Sequence, residues 1–163
     1  MFLEGLRVTQ VKPAEFMQIS RMFLGWDVRL GPNLNLASDV TEDVALQEIC
    51  RQLSNELVLK CCDYHGQILG AIRGEVDGKG LHITGMAISR RHRGLGLGKV
   101  LVFHLEQASR QKHYSAYVLE NDSQGLALYQ GALYQVVEAL DLEAGYKMVR
   151  LDKRGGGWAS KVL

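Results

Sequence analysis

The chain has 163 residues, of which 47% are hydrophobic, 23% are charged and only two are prolines. This composition excludes an intrinsically disordered or collagen-like protein, and the length suits one domain. Lysine and arginine together exceed aspartate and glutamate by one (19 against 18), so no overall field favours a nucleic acid or an anionic membrane as partner. The charge is nonetheless uneven, because Arg90, Arg91, Arg93 and Lys99 lie close together in a segment without acidic residues.

The N-terminal residues and the cysteines indicate where in the cell the protein is expected. The chain begins Met1-Phe2-Leu3-Glu4, with an acid where a secretory signal needs an apolar run. No stretch reaches the roughly 18 apolar residues of a membrane span, so we expect a cytoplasmic protein. Cys50, Cys61 and Cys62 have no zinc-ligand spacing. We interpret them as small apolar residues and expect no metal site.

The first third of the chain predicts one strand and two helices. Residues 6–11 are typical of a strand, and Pro13 suits the first turn of the helix that follows. Residues 25–38 contain two glycines, one proline and two asparagines, which is typical of a surface loop. Asp39 and Glu42 have the spacing of a capping box, so a second helix should begin near Asp39. In the first helix the apolar residues with helical spacing are Phe16, Ile19 and Phe23. In the second, the expected buried face consists of Leu46, Ile49, Cys50 and Leu53.

The remainder of the chain predicts a sheet with two further helices. Short turns that contain glycine separate the first three strands of this part of the chain, and such turns favour an antiparallel meander. A helix then connects two strands in a β-α-β crossover. The predicted strands lie at residues 57–63, 68–76, 81–88, 114–119, 135–140 and 146–152, and the helices at 97–108 and 122–133. We expect one domain at 1–153 and a flexible tail at 154–163.

The segment Arg93-Gly94-Leu95-Gly96-Leu97-Gly98 lies between a predicted strand and a predicted helix. The unpaired N–H groups at a helix N-terminus bind anions, and glycines let phosphate oxygens approach the backbone. A Walker loop does not fit, because Gly98-Lys99 is followed by Val100 instead of serine or threonine. A dinucleotide-binding fingerprint also fails, because Lys99 or Leu101 would have to be a glycine.

The pattern Arg/Gln-x-x-Gly-x-Gly/Ala remains, and Arg93, Gly96 and Gly98 match it. Here the sequence resembles the GNAT superfamily of acetyl-coenzyme A-dependent N-acetyltransferases. The segment Met86-Ala87-Ile88-Ser89, the second motif at Leu128-Tyr129 and the order of elements fit the same family. The resemblance implies an α/β fold with a mixed, mostly antiparallel sheet of six to seven strands, splayed in its middle and flanked by about four helices.

The resemblance also implies acetyl-CoA as co-substrate, with its pyrophosphate bound at the glycine-rich turn. Arg93 would help to shape this turn. Arg90 and Arg91 would either meet the 3′-phosphate of the coenzyme or face water. The coenzyme-binding residues that the resemblance implies are Ile88, Arg93, Gly94, Leu95, Gly96, Leu97, Gly98, Lys99 and Asn121.

Acetyl transfer to an amine requires a base to free the nitrogen lone pair and an acid for the departing thiolate. Tyr129 matches the tyrosine that often stands beside the coenzyme sulfur in the family, and a phenol can protonate a thiolate. His82 lies where histone-acetyltransferase-like members have a catalytic glutamate, and neutral imidazole is a competent base. Glu75 and Glu120 are further candidates. The second motif departs from the family, because Leu133-Tyr134 replaces the usual Gly-Phe.

The acceptor is expected to be a primary amine on a small molecule or peptide. An acidic run suits a cationic acceptor such as a polyamine, a lysine side chain or an aminoglycoside, although a solvated helix face is the interpretation that we favour. This run comprises Asp39, Glu42, Asp43 and Glu48. The alternative functions are a non-catalytic coenzyme A-binding regulatory module and a nucleotide-binding domain. We expect a monomer or homodimer.

Overall fold

Seven strands and four α-helices form the part of the chain that the computed structural model describes, residues 5–26 and 42–155. The strands are β1 (Arg7–Gln10), β2 (Leu57–Cys62), β3 (Ile68–Asp77), β4 (Gly80–Ile88), β5 (His113–Leu119), β6 (Gln135–Asp141) and β7 (Lys147–Arg154). The helices are α1 (Phe16–Trp26), α2 (Glu42–Leu53), α3 (Leu97–Ser109) and α4 (Ser123–Gly131). No helix in these described ranges is long and apolar enough to cross a membrane.

The predicted elements all form, with corrections at three places. Gly25 and Trp26, predicted to begin a loop, belong to the last turn of α1, and the rest of that loop lies outside the described residues. Cys50 is only half-buried. The last helix ends at Gly131 instead of 133, because Leu133 has a left-handed backbone with φ 73°. Asp39 and most of the predicted tail also lie outside the described residues.

The strands form one sheet in the order β1-β2-β3-β4-β5-β7-β6. All neighbouring pairs are antiparallel except β4 and β5, which are parallel because α3 carries the chain across the sheet between them. This topology confirms the expected mixed, mostly antiparallel sheet.

Helices cover both faces of the sheet. On one face, Leu97, Leu101 and Leu105 of α3 are almost fully buried in the larger apolar cluster. On the other face, Phe23 of α1 and Leu53 of α2 belong to a second buried cluster. The helical spacing of these side chains explains why each helix presents one apolar stripe to the sheet. The sheet therefore separates two faces, here called the α3 face and the α1 face.

The strands β4 and β5 separate part-way along their length. They pair only at Leu81↔Tyr114, His82↔Ser115 and Ile83↔Ala116. Beyond these pairs β4 continues beside β3, and β5 continues beside β7. A bulge in β4 at Thr84 accompanies the separation, since Gly74 pairs with Ile83 while Arg73 pairs with Gly85. The sheet is thus splayed in its middle, as expected.

Candidate active site

The glycine-rich turn joins the end of β4 to the start of α3. Gly94 and Gly96 have φ values of 79° and 86°, a backbone conformation that L side chains rarely adopt, and Gly96 is the N-cap of α3. The N–H of Val100 donates to the carbonyl of Gly96 at 3.3 Å. The preceding N–H groups of the first helical turn have no carbonyl within the helix and can bind an anion.

Side chains hold this turn in place. Arg93 Nε donates to the carbonyl oxygen of Ile88 at 3.2 Å, and Arg93 Nη2 donates to that of Trp26 at 2.9 Å. Arg93 thereby connects the turn to the end of β4 and the end of α1. Arg90 and Arg91 are exposed in the short 3₁₀ helix that precedes it.

Gly98 allows α3 to approach α4 closely. A Cβ atom at this position would overlap the side chain of Leu128 and lie 3.3 Å from Met86 Sδ. The site needs glycine here for space, since Gly98 has no left-handed φ angle. At Gly94 and Gly96 a Cβ would meet nothing within 4 Å. The turn thus has open space beside its backbone, which fits a bound pyrophosphate.

A cleft of about 580 Å³ is lined by this turn together with residues of β4, β5 and α4. Seven of the coenzyme-binding residues expected from the sequence line it, namely Ile88, Arg93, Gly94, Gly96, Leu97, Gly98 and Lys99. Leu95 and Asn121 lie outside this lining, and both are exposed. Asp122, next to Asn121, lines the cleft and caps α4, with Oδ1 accepting from the N–H of Gly125 at 3.0 Å.

The sequence analysis did not assign to the cleft four of its larger apolar side chains, those of Trp26, Met86, Val118 and Leu128. They come from α1, β4, β5 and α4 in turn. An apolar side chain on any of these elements also suits the core, so no local pattern marks it as a cleft residue. These side chains come together only in the folded protein, at the place where β4 and β5 separate.

Tyr129 is 3% exposed and also lines the cleft. Its ring packs edge-on against that of Tyr134, with centroids 5.4 Å apart. The Tyr134 hydroxyl donates to Glu106 Oε2 at 2.7 Å, and Lys153 Nζ donates to Glu106 Oε1 at 2.9 Å. Burial raises the pKa of Tyr134 far above its ordinary value, with a further contribution from the Glu106 charge. Tyr134 therefore stays protonated and gives Tyr129 a fixed neighbour.

His82 lies outside the cleft lining and has both ring nitrogens within hydrogen-bond distance of a partner. Its Nε2 is 3.0 Å from Asp77 Oδ2, and its Nδ1 is 2.5 Å from Ser115 Oγ. Hydrogen bonds from the Lys79 backbone N–H and from His82 lower the pKa of Asp77, so this carboxylate is ionised near neutrality. A carboxylate only accepts, so we assign the proton of neutral His82 to Nε2. Nδ1 then accepts from the Ser115 hydroxyl.

The cysteines of the described residues are free thiols and belong to no metal site. Cys61 is buried, and desolvation raises the pKa of its thiol to about 11. Cys50 and Cys62 are free thiols as well. Within residues 5–26 and 42–155, no cluster of three histidine, cysteine or acidic side chains could hold a metal ion.

Comparison with known proteins identifies the family. The model of the acetyltransferase (GNAT) family matches residues 27–132, which is more than half of the chain. The chain belongs to this family. It is an acetyltransferase that uses acetyl-CoA as its donor. It is also 30% identical over 118 residues to the protein YyaT of Bacillus subtilis (strain 168), covering 72% of this chain and 74% of that protein.

Solved structures share the fold at low sequence identity. A spermidine N-acetyltransferase from Vibrio cholerae, in complex with CoA and spermine, has a TM-score of 0.73 at 11% identity and covers 96% of this chain and 99% of its own. The protein yncA from Salmonella typhimurium, with its cofactor acetyl-CoA, has a TM-score of 0.65 at 15% identity and covers 92% and 94%. At these identities the likeness concerns the fold.

Proposed function

We propose that this enzyme moves the acetyl group directly from acetyl-CoA to a primary amine, without a covalent enzyme intermediate. The splay between β4 and β5 is the observation that supports this most strongly. It opens a cleft that is lined both by the glycine-rich turn and by a buried phenol. The donor supplies an activated thioester. The α3 N-terminus would hold its pyrophosphate, and apolar side chains such as Met86 and Val118 would exclude water beside it.

We infer that Tyr129 donates a proton to the thiolate that leaves. Its hydroxyl belongs to a side chain that lines the cleft, and its ring is held against Tyr134. A phenol has an ordinary pKa near 10, so it is protonated at neutral pH and can donate to sulfur. For the base on the acceptor side, His82 remains a prediction from the sequence.

The acceptor class that we propose to test first is a cationic alkylamine on a small molecule or peptide. The Vibrio cholerae neighbour was crystallised with spermine. The described part of the acidic run, Glu42, Asp43 and Glu48, lies exposed on α2. This surface would attract a cation at long range, although surface charges alone contribute little to affinity. We further propose a cytoplasmic monomer or homodimer.

Thermal stabilisation by acetyl-CoA and release of free thiol together test the proposal. Saturation at about 100 times the dissociation constant should add about 2.7 kcal/mol to the unfolding free energy. Gly96→Val should abolish this stabilisation. Gly66→Val is a matched control, because Gly66 has a φ of 81° and equally open surroundings in the turn between β2 and β3. If both variants still bind acetyl-CoA like the wild type, the turn is not the binding site.

Turnover then separates an enzyme from a binding module. The wild type should release thiol with at least one of spermidine, a lysine peptide or an aminoglycoside. Tyr129→Phe should lower kcat by about 10²-fold or more while acetyl-CoA affinity stays within about threefold. Equal losses in kcat and affinity would assign Tyr129 a packing role. Saturable acetyl-CoA binding without acylation of any amine would contradict the proposed activity.

A further inference from the structure

Glu56 is a mostly buried carboxylate on the α1 face that the sequence analysis did not single out. It lies between α2 and β2, and its side chain is 9% exposed. Glu56 Oε2 accepts a hydrogen bond from Thr84 Oγ1 at 2.6 Å. Glu56 Oε1 is 3.7 Å from Nη1 of Arg73, which also donates to Gln52 at 3.2 Å. The carboxylate is thus held in one orientation by partners on β3 and β4.

The place of Thr84 in the sheet gives this contact its significance. Thr84 is the bulged residue of β4 and follows Ile83, the last residue of β4 that pairs with β5. Bulges next to active sites commonly redirect a side chain. Thr84 is exposed, and its hydroxyl holds one oxygen of the Glu56 carboxylate next to the point where β4 leaves β5. Glu56 therefore lies beside the opening on the face opposite the α3 side, which carries the glycine-rich turn.

The surroundings of Glu56 make its carboxylate more basic than an exposed one. Burial raises the pKa of its carboxyl above the ordinary value. The Arg73 charge and the Thr84 hydroxyl act in the opposite direction, and the Glu75 charge raises the pKa further. A carboxylate with a raised pKa is a stronger base than an ordinary surface glutamate.

His82 is less suited to the same task. With its Nε2 proton directed at Asp77, its single lone pair on Nδ1 is occupied by the Ser115 hydroxyl. Ser115 is only 3% exposed. An acceptor amine would have to displace this buried hydrogen bond before its proton could reach the imidazole.

We propose that Glu56 is the general base of the acetyl transfer and that Thr84 is its positioning residue. This inference rests on the proposed transfer to an amine. The N–H bond of the acceptor ammonium breaks, its proton passes to Glu56 Oε2, and the electron pair stays on nitrogen, which attacks the thioester carbon. As the C–S bond breaks, Tyr129 gives its proton to the departing thiolate. The second proton that the acetylated nitrogen loses passes to water, from which the Tyr129 phenolate is reprotonated. The resulting carboxylic acid returns the proton to water after the reaction. The ligand class that follows is an amine that arrives protonated, an alkylamine in preference to an aromatic amine.

Glu56→Gln tests the role of the carboxylate. The rate is measured with whichever of spermidine, a lysine peptide or an aminoglycoside the wild type acetylates fastest. We expect kcat to fall by about 10²-fold or more and the acidic limb of the pH–rate profile to disappear, while acetyl-CoA still stabilises the variant. Glu143→Gln, a matched change of an exposed carboxylate in the connection between β6 and β7, should leave the rate and profile unchanged. His82→Gln should cost less than Glu56→Gln.

Thr84→Val provides a second measurement that keeps the Arg73 and Glu56 ion pair. Loss of the hydrogen bond to the ionised carboxylate should raise the pKa of Glu56, so the acidic limb should move to higher pH. A purely structural role for Thr84 would leave this limb in place. If Glu56→Gln does not fold, this shift decides the question.

Two results would overturn the proposal. One is a folded Glu56→Gln variant whose kcat stays within about threefold of wild type with the acidic limb intact. The other is an unchanged acidic limb in Thr84→Val. In both cases the wild type still acetylates its amine, so the proposed function survives. A wild type that binds acetyl-CoA and acetylates no amine overturns the proposed function together with this inference.

Discussion

Tyr134→Phe removes one buried hydroxyl and leaves the ring in place. In the wild type this hydroxyl donates to Glu106 Oε2 at 2.7 Å. Glu106 is 2% exposed, so water cannot easily replace the lost donor. Its other oxygen keeps the hydrogen bond from Lys153 at 2.9 Å, so the carboxylate does not become an unpaired buried charge. The variant therefore isolates a single hydrogen bond to a charged acceptor.

The expected cost is about 2 kcal/mol in the free energy of unfolding, because hydrogen bonds to charged groups contribute about 1.5 to 3 kcal/mol. Removal of both the hydroxyl and the carboxylate would cost less than the sum of the single changes. For a domain of this length, about 2 kcal/mol corresponds to a fall in Tm of roughly 4 to 8 °C. Acetyl-CoA should still stabilise the variant, since the ring of Tyr134 remains beside Tyr129.

Urea unfolding at pH 7, followed by circular dichroism, measures this cost. The midpoint should fall while the m value stays constant, because the buried surface hardly changes. Tyr64→Phe is the matched control, since Tyr64 is 76% exposed and should change stability by less than about 0.5 kcal/mol. A loss in Tyr134→Phe no larger than that of the control would refute the assigned role of the hydroxyl.

Two further changes test the backbone and the charges. Leu133→Gly should stabilise the fold by about 0.5 to 1 kcal/mol, because Leu133 has a φ of 73° and is 67% exposed; lower stability in urea would contradict the strain assigned there. Lys60 pairs with Glu15 and lowers its pKa below the ordinary 4.5. This pairing stabilises the fold above that pH and is lost on acidification. Lys60→Met should therefore cost up to about 1 kcal/mol at pH 7 and progressively less towards about pH 2, and a cost independent of pH would argue against the pairing.

Much of the secondary structure could be predicted because its causes are local. The apolar stripe of α3 has the helical period at Leu97, Leu101 and Leu105, and these side chains are buried as that pattern requires. The glycine-rich turn could also be found from the sequence. Gly94 and Gly96 have positive φ angles that favour glycine, and this preference can be recognised from the residue type alone.

The exact end of α4 was harder to predict, although its cause is also local. The sequence places helix as far as Leu133, whereas the chain turns after Gly131. The left-handed conformation at Leu133 is disfavoured for a leucine, so residue preference alone does not indicate it. Packing of Tyr134 into the core, where it is 2% exposed, accompanies this turn.

The side-chain contacts around the proposed base and beside Tyr134 join distant parts of the chain. Thr84 is 28 residues from Glu56 along the sequence, and Lys153 is 47 residues from Glu106. No spacing rule connects such pairs, because sheet register and helix packing bring them together. The sequence by itself determined the glycine-rich turn, the helices and the family resemblance, since each depends on neighbouring residues. Only the tertiary structure decided which carboxylate lies beside the opening, because that depends on where β4 and β5 part.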